Sequence, residues 1–363
     1  MSEKTETVKV DFHSSLAMSI SVALSLLGLA EEYDGFDPSI YSMYDALQND
    51  LKQDIRILFK PFSNLLLFDG LLRDGVVIDD IREFLGWISR IPAEHVATSN
   101  LVCLRGVARH AGVDPDSLTP ASLQDRKSMS ELLTKSFGTL PHLLPYVDRI
   151  AELIANPEAL RSSAVYAVAR FWDRHYKAEY MQMRKLEEQS VASFEGRSLD
   201  DDFGKAFREI TGREYPVNDA PSLDGIRRVI FVPSFFPGPY VSVDELLEGE
   251  GTLSVVYSCR PTGGANPSAG LPIDEMLAPL KALADETRLE ILGLLSGREL
   301  YAQEIVDRMR VSQSAVSRHL RLMVASGILH VRKQEGMKFY TIDDEVLCRL
   351  GERLSDIPGA GGA

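Results

Sequence analysis

Cysteine is scarce in this sequence. Cys103, Cys259 and Cys348 are spread over 363 positions, and no two of them form a CxxC pair. This spacing argues against a disulfide framework and against a cysteine zinc site, and isolated thiols suit a reducing compartment. We therefore expect a cytoplasmic protein that is held together by an ordinary hydrophobic core.

Apolar runs long enough to cross a membrane are also lacking. The stretch Leu16–Ala30 falls short of the roughly 20 residues that a spanning helix needs. Lys4 and Lys9 before it are outweighed by three acidic residues, so the positively charged region of a signal peptide is missing. The sequence predicts a buried helix here, no export signal and no membrane partner.

Signatures of enzymes are missing from the first 260 residues, which contain no GxSxG, Walker or GxGxxG motif. His175 stands alone in a predicted helix, where histidine is usually structural. Buried inert thiols are commoner than redox sensors, and we interpret Cys103 and Cys259 in that way. We expect a protein that is not an enzyme and has no cofactor and no metal.

A positive net charge, which many nucleic-acid-binding proteins carry, is absent, because the formal net charge is −14. Phosphate binding depends on the local field, however, and not on the overall charge. The window from Arg308 to Lys338 contains seven basic residues and one acidic residue, a local net charge of +6. A basic window on an acidic protein favours site-specific DNA contact over indiscriminate coating.

Proline and glycine cluster in residues 261–272, where three of each disfavour a helix or a central strand. We predict a linker there. It separates an N-terminal domain, residues 1–260, which senses a signal or mediates dimerisation, from a C-terminal domain, residues 273–357. Residues 358–363 are expected to form a frayed tail.

The N-terminal domain has apolar residues at three- and four-residue spacing, which predicts helices. Pro157–Glu195 is expected to be one long helix, because Pro157 lies near its start and Gly196 follows its end. Its rings, Phe171, Trp172, Tyr176 and Tyr180, are assigned to the core. The other predicted helices are Leu16–Leu29, Tyr41–Phe59, Ile78–Ile88 and Leu101–Ala111.

The periodicity changes near the end of this domain. Arg228–Phe236 and Thr252–Cys259 are β-branched and aromatic runs bounded by glycine and proline. With Pro239–Val243 between them, these runs predict a small antiparallel meander.

Three helices are predicted after the linker. Asp285 is a good N-cap for the first helix, and Gly297 lies near its end. The second helix spans about Tyr301–Met309, and Ser312 can cap a third that runs to about Ala325. The buried face of the first helix is assigned to Leu289, Ile291, Leu292, Leu294 and Leu295.

The third helix has two distinct faces. Val316, Leu320 and Met323 follow the spacing of an inward face. Arginine can donate two hydrogen bonds to guanine, and serine or glutamine can reach base edges or phosphates, so the other face suits the major groove. His319, at the flank, can either contact DNA or pack inward. The outward residues are Gln313, Ser314, Ser317, Arg318 and Arg321.

Two alternating runs, Ile328–Lys333 and Lys338–Ile342, follow around Gln334-Glu335-Gly336 and predict a β-hairpin wing. Arg332, Lys333 and Lys338 near its tip are expected to contact the DNA backbone. The predicted fold class is mostly α (α+β). A helical N-terminal domain with a small antiparallel β meander is linked to a C-terminal winged helix-turn-helix.

Over about 70 residues the sequence resembles the ArsR/SmtB family of winged-helix repressors. The resemblance rests on the runs LKALADETRLEIL and SQSAVSRHLRLMVASGIL and on the wing. It implies a homodimer on double-stranded DNA, paired through helices near residues 273–284 and 345–354. It places these residues at recognition-helix positions: Ser312, Gln313, Ser314, Ser317, Arg318, His319 and Arg321.

The sequence departs from the family at both of its known metal sites. Glu299–Glu304 contains no cysteine, and Asp344–Leu354 contains no histidine. We therefore expect a repressor that responds to an unknown small-molecule or protein effector rather than to a metal. An enzyme fused to a DNA-binding head and a protein-interaction module remain as alternatives.

Overall fold

The structure is a computed structural model that describes most of the chain. The predicted linker, residues 261–272, and the tail, residues 358–363, lie outside the described residues. The described residues are 8–31, 33, 36–59, 67–110, 112–137, 143–195, 197, 202–213, 215, 221–246, 251–259, 273–309, 311–334 and 337–355.

The N-terminal part is built around a central helix, α1, at Leu16–Leu29, as predicted. Ser15 caps it by accepting a hydrogen bond from the backbone N–H of Met18, and most of its side chains are buried. Among the described residues, no helix combines the length and the apolar character needed to cross a bilayer. The next helices are α2 (Pro38–Ala46), α3 (Asn49–Phe59), α4 (Phe68–Asp74), α5 (Ile81–Arg90), α6 (Ala93–His110), α7 (Arg126–Ser136) and α8 (Val147–Ala155).

Two predicted helices are interrupted in the structure, and the helix predicted at Leu101–Ala111 begins earlier, at Ala93. The run Tyr41–Phe59 is divided between α2 and α3, because the backbone at Leu47 is extended. Pro157–Glu195 consists of α9 (Pro157–Phe171), a π-helical turn (Trp172–Tyr176) and α10 (Lys177–Ala192). The four rings assigned to the core are buried there, as predicted.

The predicted antiparallel meander is wrong, because the sheet is mixed. Its strands are β1 (Lys9–Phe12), β2 (Arg228–Ser234), β3 (Ser242–Glu245) and β4 (Thr252–Ser258), in the order β1-β2-β4-β3. Strand β3, which follows β2 in the sequence, lies at the far edge, and β4 lies between β2 and β3. Strand β4 is therefore parallel to β2 and antiparallel to β3, and β1 adds a second parallel partner to β2.

The sheet is covered on both faces. Ile230 and Val232 face the helical core, whereas Val229 and Phe231 pack against the helix α11 (Phe203–Thr211). This burial explains why β2 reads as an uninterrupted apolar run.

The C-terminal part has its own hydrophobic cluster and forms a winged helix-turn-helix. The wing strands β6 (Leu329–Gln334) and β7 (Met337–Ile342) pair antiparallel, as predicted, and the two-residue β5 (Leu300–Tyr301) adds to β7. Leu289, assigned to the buried face of its helix, is instead 53% exposed. The elements are α12 (Ile273–Leu283), α13 (Glu286–Leu295), β5 (Leu300–Tyr301), α14 (Ala302–Arg308), α15 (Gln313–Ala325), β6 (Leu329–Gln334), β7 (Met337–Ile342) and α16 (Asp344–Ser355).

Candidate nucleic-acid interface

Helix α15 begins with a cap that its sequence encodes. The side chain of Ser312 accepts a hydrogen bond from the backbone N–H of Ala315 at 3.3 Å, and its Oγ lies 3.1 Å from that of Ser314. The side chains of Ser312, Gln313, Ser314 and Ser317 are all exposed. The first turns of α15 therefore present a polar surface beside a helix N-terminus, which favours anions through its free N–H groups.

The opposite face of α15 is anchored in the C-terminal core. Val316, Leu320 and Met323 are at most 1% exposed. Gly327 has a φ of 79° just past the helix end, which suits glycine, and the following N–H of Ile328 donates to the carbonyl of Met323 at 2.9 Å. Because both ends and the inner face are fixed, the polar face has a defined orientation.

The second half of the polar face meets the N-terminal part of the chain. Arg318 and Arg321 are only partly exposed. One terminal nitrogen of Arg321 donates a hydrogen bond to the hydroxyl of Tyr33 at 3.1 Å, and its guanidinium carbon lies 4.3 Å from the centroid of that ring. Sequence analysis missed this contact, because no local pattern relates two residues that are 288 positions apart.

His319 occupies the inward of its two predicted positions. Its side chain is buried at 7% exposure, with Nδ1 3.5 Å from a terminal nitrogen of Arg288 and 3.8 Å from Oδ1 of Asp285. Arg288 is itself buried and donates from Nε to the carbonyl of Ala282. This arrangement ties α15 to the end of α12 and the start of α13, so His319 packs inward and does not belong to the polar outer face.

The wing carries basic residues at matching positions of its two strands. Lys333 pairs with Lys338, and Arg332 pairs with Phe339. The side chain of Lys338 is exposed. The predicted turn residues Glu335 and Gly336 lie outside the described residues.

The thiols considered as sensors are largely removed from water. Burial raises the pKa of Cys103 to about 12 and that of Cys259 to about 12. Because the thiolate is the reactive form, both side chains are poor nucleophiles near neutral pH. Within the part of the chain that the structure describes, no three histidine, cysteine or acidic side chains are grouped as metal ligands would be.

Comparison with known proteins places similarity in the C-terminal part. A family model described as "Bacterial regulatory protein, arsR family" matches residues 285–331. The match begins at the N-cap Asp285 and continues through α14 and α15 into the first wing strand.

Individual relatives cover the same part. The transcriptional activator HlyU of Vibrio cholerae is 43% identical over 75 residues, which are 21% of this chain and 69% of the relative. The arsenical resistance operon repressor of Staphylococcus xylosus is 34% identical over 83 residues, 23% of this chain and 80% of the relative. A solved structure of HlyU from Vibrio cholerae N16961 is 36% identical, covers 23% of this chain and 91% of that chain, and has a TM-score of 0.20.

Proposed function

This chain belongs to the ArsR family of bacterial regulatory proteins, and we propose that it represses transcription by inserting α15 into the major groove of a specific DNA site. The observation that carries the proposal is the two-sided character of α15. One face is locked in the core, and the other presents serine, glutamine and arginine beside an exposed helix N-terminus.

The proposed surface contains residues that recognise the base sequence and residues that position the domain on the DNA backbone. Arg318 and Arg321 are assigned to guanine edges, where each bidentate pair discriminates by about 1–3 kcal/mol. Ser312, Gln313, Ser314 and Ser317 are assigned to base edges and phosphates near the helix start. The wing residues Arg332, Lys333 and Lys338 are assigned to the phosphate backbone, which positions the domain without specifying sequence.

The remaining parts of the chain are assigned to control. We assign the described N-terminal part, with residues 1–260 as its predicted limits, to sensing a small-molecule or protein effector. Homodimerisation is assigned to α12 and α16, which flank the winged fold and carry the exposed Leu277 and Leu354. Repression is favoured by the similarity to the arsenical resistance repressor, although HlyU is named an activator.

Recovery of bound genomic fragments by the purified full-length chain tests the proposal. We expect enrichment of a small set of promoter fragments, and reduced transcription from those promoters when the protein is added to purified polymerase. Arg318→Ala should weaken binding to the recovered fragments by about 5–150-fold, the equivalent of one lost bidentate contact. Arg82→Ala, which removes an exposed arginine from α5, is the matched control.

The result has three informative outcomes. Unchanged binding by Arg318→Ala, with native helicity, overturns the groove assignment. Enrichment without sequence preference overturns specific recognition. Increased transcription from the recovered promoters contradicts repression but leaves the DNA-binding surface intact.

A further inference from the structure

Three aromatic side chains from the N-terminal part form a patch beside α15. Tyr33 stacks on Phe36 with 5.7 Å between ring centroids, and Tyr240 meets both rings edge-on at 5.5 Å and 5.2 Å. We call Tyr33, Phe36 and Tyr240 the aromatic patch. Tyr240 packs against the helical core and also against the core of the winged domain. The patch is therefore in contact with both parts of the chain.

The patch is held in position by its own part of the chain. The hydroxyl of Tyr41 donates to the carbonyl of Tyr33 at 2.7 Å and accepts from the N–H of Phe36 at 3.1 Å. The N–H of Asp37 donates to the carbonyl of Phe236 at 3.0 Å. Tyr33 is thus attached to a helix and to the loop that follows β2, and it contacts Arg321 from a defined position.

We propose that the aromatic patch is an autoinhibitory latch, in which Tyr33 competes with DNA for the guanidinium of Arg321. The latch rests on the proposed function, since it acts on a side chain assigned to guanine. A guanidinium stacked on the face of a tyrosine ring cannot lie in the plane of a base edge at the same time. A segment lying against this face of α15 also occupies space that the major groove requires.

The contact can be released readily because it uses only part of the hydrogen-bonding capacity of the Arg321 guanidinium. Arginine has five N–H donors, and one of them donates to the hydroxyl of Tyr33. Its Nε is buried and has no hydrogen-bond partner among the described residues. A guanine edge or a phosphate supplies two acceptors in the geometry that arginine prefers. DNA and any effector that separates the two parts therefore shift the same equilibrium in the same direction.

The latch has a measurable consequence for affinity. If the latched form predominates, the apparent Kd exceeds the intrinsic Kd by the inverse of the released fraction. An interaction of this kind corresponds to about a 3–30-fold preference for the latched form. Removing the ring should tighten DNA binding by a factor in that range without any change on the DNA-binding surface.

Fluorescence anisotropy of a recovered promoter fragment, titrated with full-length variants, tests the latch. Tyr33→Ala is expected to lower Kd by about 3–30-fold, and Tyr33→Phe, which keeps the ring and loses the hydroxyl, by less. Tyr166→Ala is the matched control, because Tyr166 also lies under an arginine, with Arg170 at 5.1 Å, but on α9. In an Arg321→Ala background, Tyr33→Ala should have no further effect.

The outcomes distinguish failure of the latch from failure of the proposed DNA interface. If Tyr33→Ala and Tyr33→Phe bind like the unchanged chain while Arg318→Ala loses affinity, the latch is overturned and the DNA interface stands. If Arg318→Ala also binds normally, the interface itself is overturned. Should Tyr33→Ala fail to fold, tighter binding by Tyr33→Phe supports the latch and unchanged binding overturns it.

Discussion

The carboxylate of Asp285 joins two helices of the winged domain, since its Oδ1 accepts from the backbone N–H of Arg288 at 3.0 Å and lies 3.8 Å from Nδ1 of His319. It is therefore both the N-cap of α13 and a neighbour of a buried side chain of α15. Asp285 thus contacts both α13 and α15 from outside the surface proposed to bind DNA.

Removing the Asp285 carboxylate should loosen both helices. Asp285→Ala loses the cap, worth about 1 kcal/mol, and also the carboxylate oxygen that lies 4.0 Å from a terminal nitrogen of the buried Arg288, so we expect a local loss of about 1–3 kcal/mol. Hydrogen exchange of residues 286–295 and 313–325 in the full chain measures it. Asp285→Asn keeps the cap and should lose less.

Asp80→Ala provides the control for capping alone. Asp80 caps α5 by accepting from the N–H groups of Arg82 and Glu83 and has an exposed position. Its loss should increase exchange only within α5. If Asp285→Ala leaves hydrogen exchange in α15 unchanged, the contact between Asp285 and His319 does not contribute to the stability of α15.

Wing lysines should act through charge alone. Each phosphate contact contributes about 0.9 to the slope of log K against log salt, so Lys333→Ala with Lys338→Ala should flatten that slope by about 1.8. Specific and unrelated duplexes should weaken alike, because the contacts carry no sequence information. Binding titrations at several salt concentrations measure both effects.

An exposed lysine of the N-terminal part supplies the comparison. Lys205→Ala, on α11, should leave the salt dependence unchanged. A wing variant that changes the preferred sequence while keeping the original slope contradicts the backbone assignment.

The sequence predicts the winged domain better than the N-terminal sheet, for a physical reason. Caps and helix faces are local, so Ser312 and the spacing of Val316, Leu320 and Met323 were sufficient to place α15. Strand pairing is not local: Val10 pairs with Val229, and an alternating pattern identifies a strand without identifying its neighbour. Tyr33 illustrates the same limit at the site, because its contact with Arg321 joins two parts of the chain that have separate hydrophobic clusters.

A buried acid in the N-terminal part should make stability depend on pH. Ser19 donates to Oε1 of Glu187 at 2.9 Å and also contacts the hydroxyl of Tyr176 at 2.8 Å. Burial raises the pKa of Glu187 to about 8, with the nearby charge of Glu188 adding to the effect. The folded state therefore holds a proton that the unfolded chain releases near its ordinary pKa of about 4.3.

The sign of the effect follows from that proton. The contribution of protonated Glu187 to the free energy of unfolding is complete below pH of about 4.3. It declines as pH rises and is lost above about 8. Glu187→Gln retains an acceptor for Ser19 and cannot ionise, so its thermal midpoint should exceed that of the unchanged chain at pH 8 and differ little at pH 5. Glu179→Gln, at an exposed position of α10, should not alter the pH profile. Parallel profiles for Glu187→Gln and the unchanged chain would contradict the buried protonated acid.

The exposed leucines of the flanking helices should control assembly. Leu277 on α12 is 42% exposed and Leu354 on α16 is 39% exposed, and a second copy that covers them would bury apolar surface that water now contacts. Leu277→Glu with Leu354→Glu should therefore convert a dimer to a monomer in light scattering and weaken binding to a two-half-site fragment, because one copy reads only one half-site. Val77→Glu, at a 62% exposed position of the N-terminal part, should keep the dimer. A dimer that survives the double change must be formed by a surface other than these two leucines.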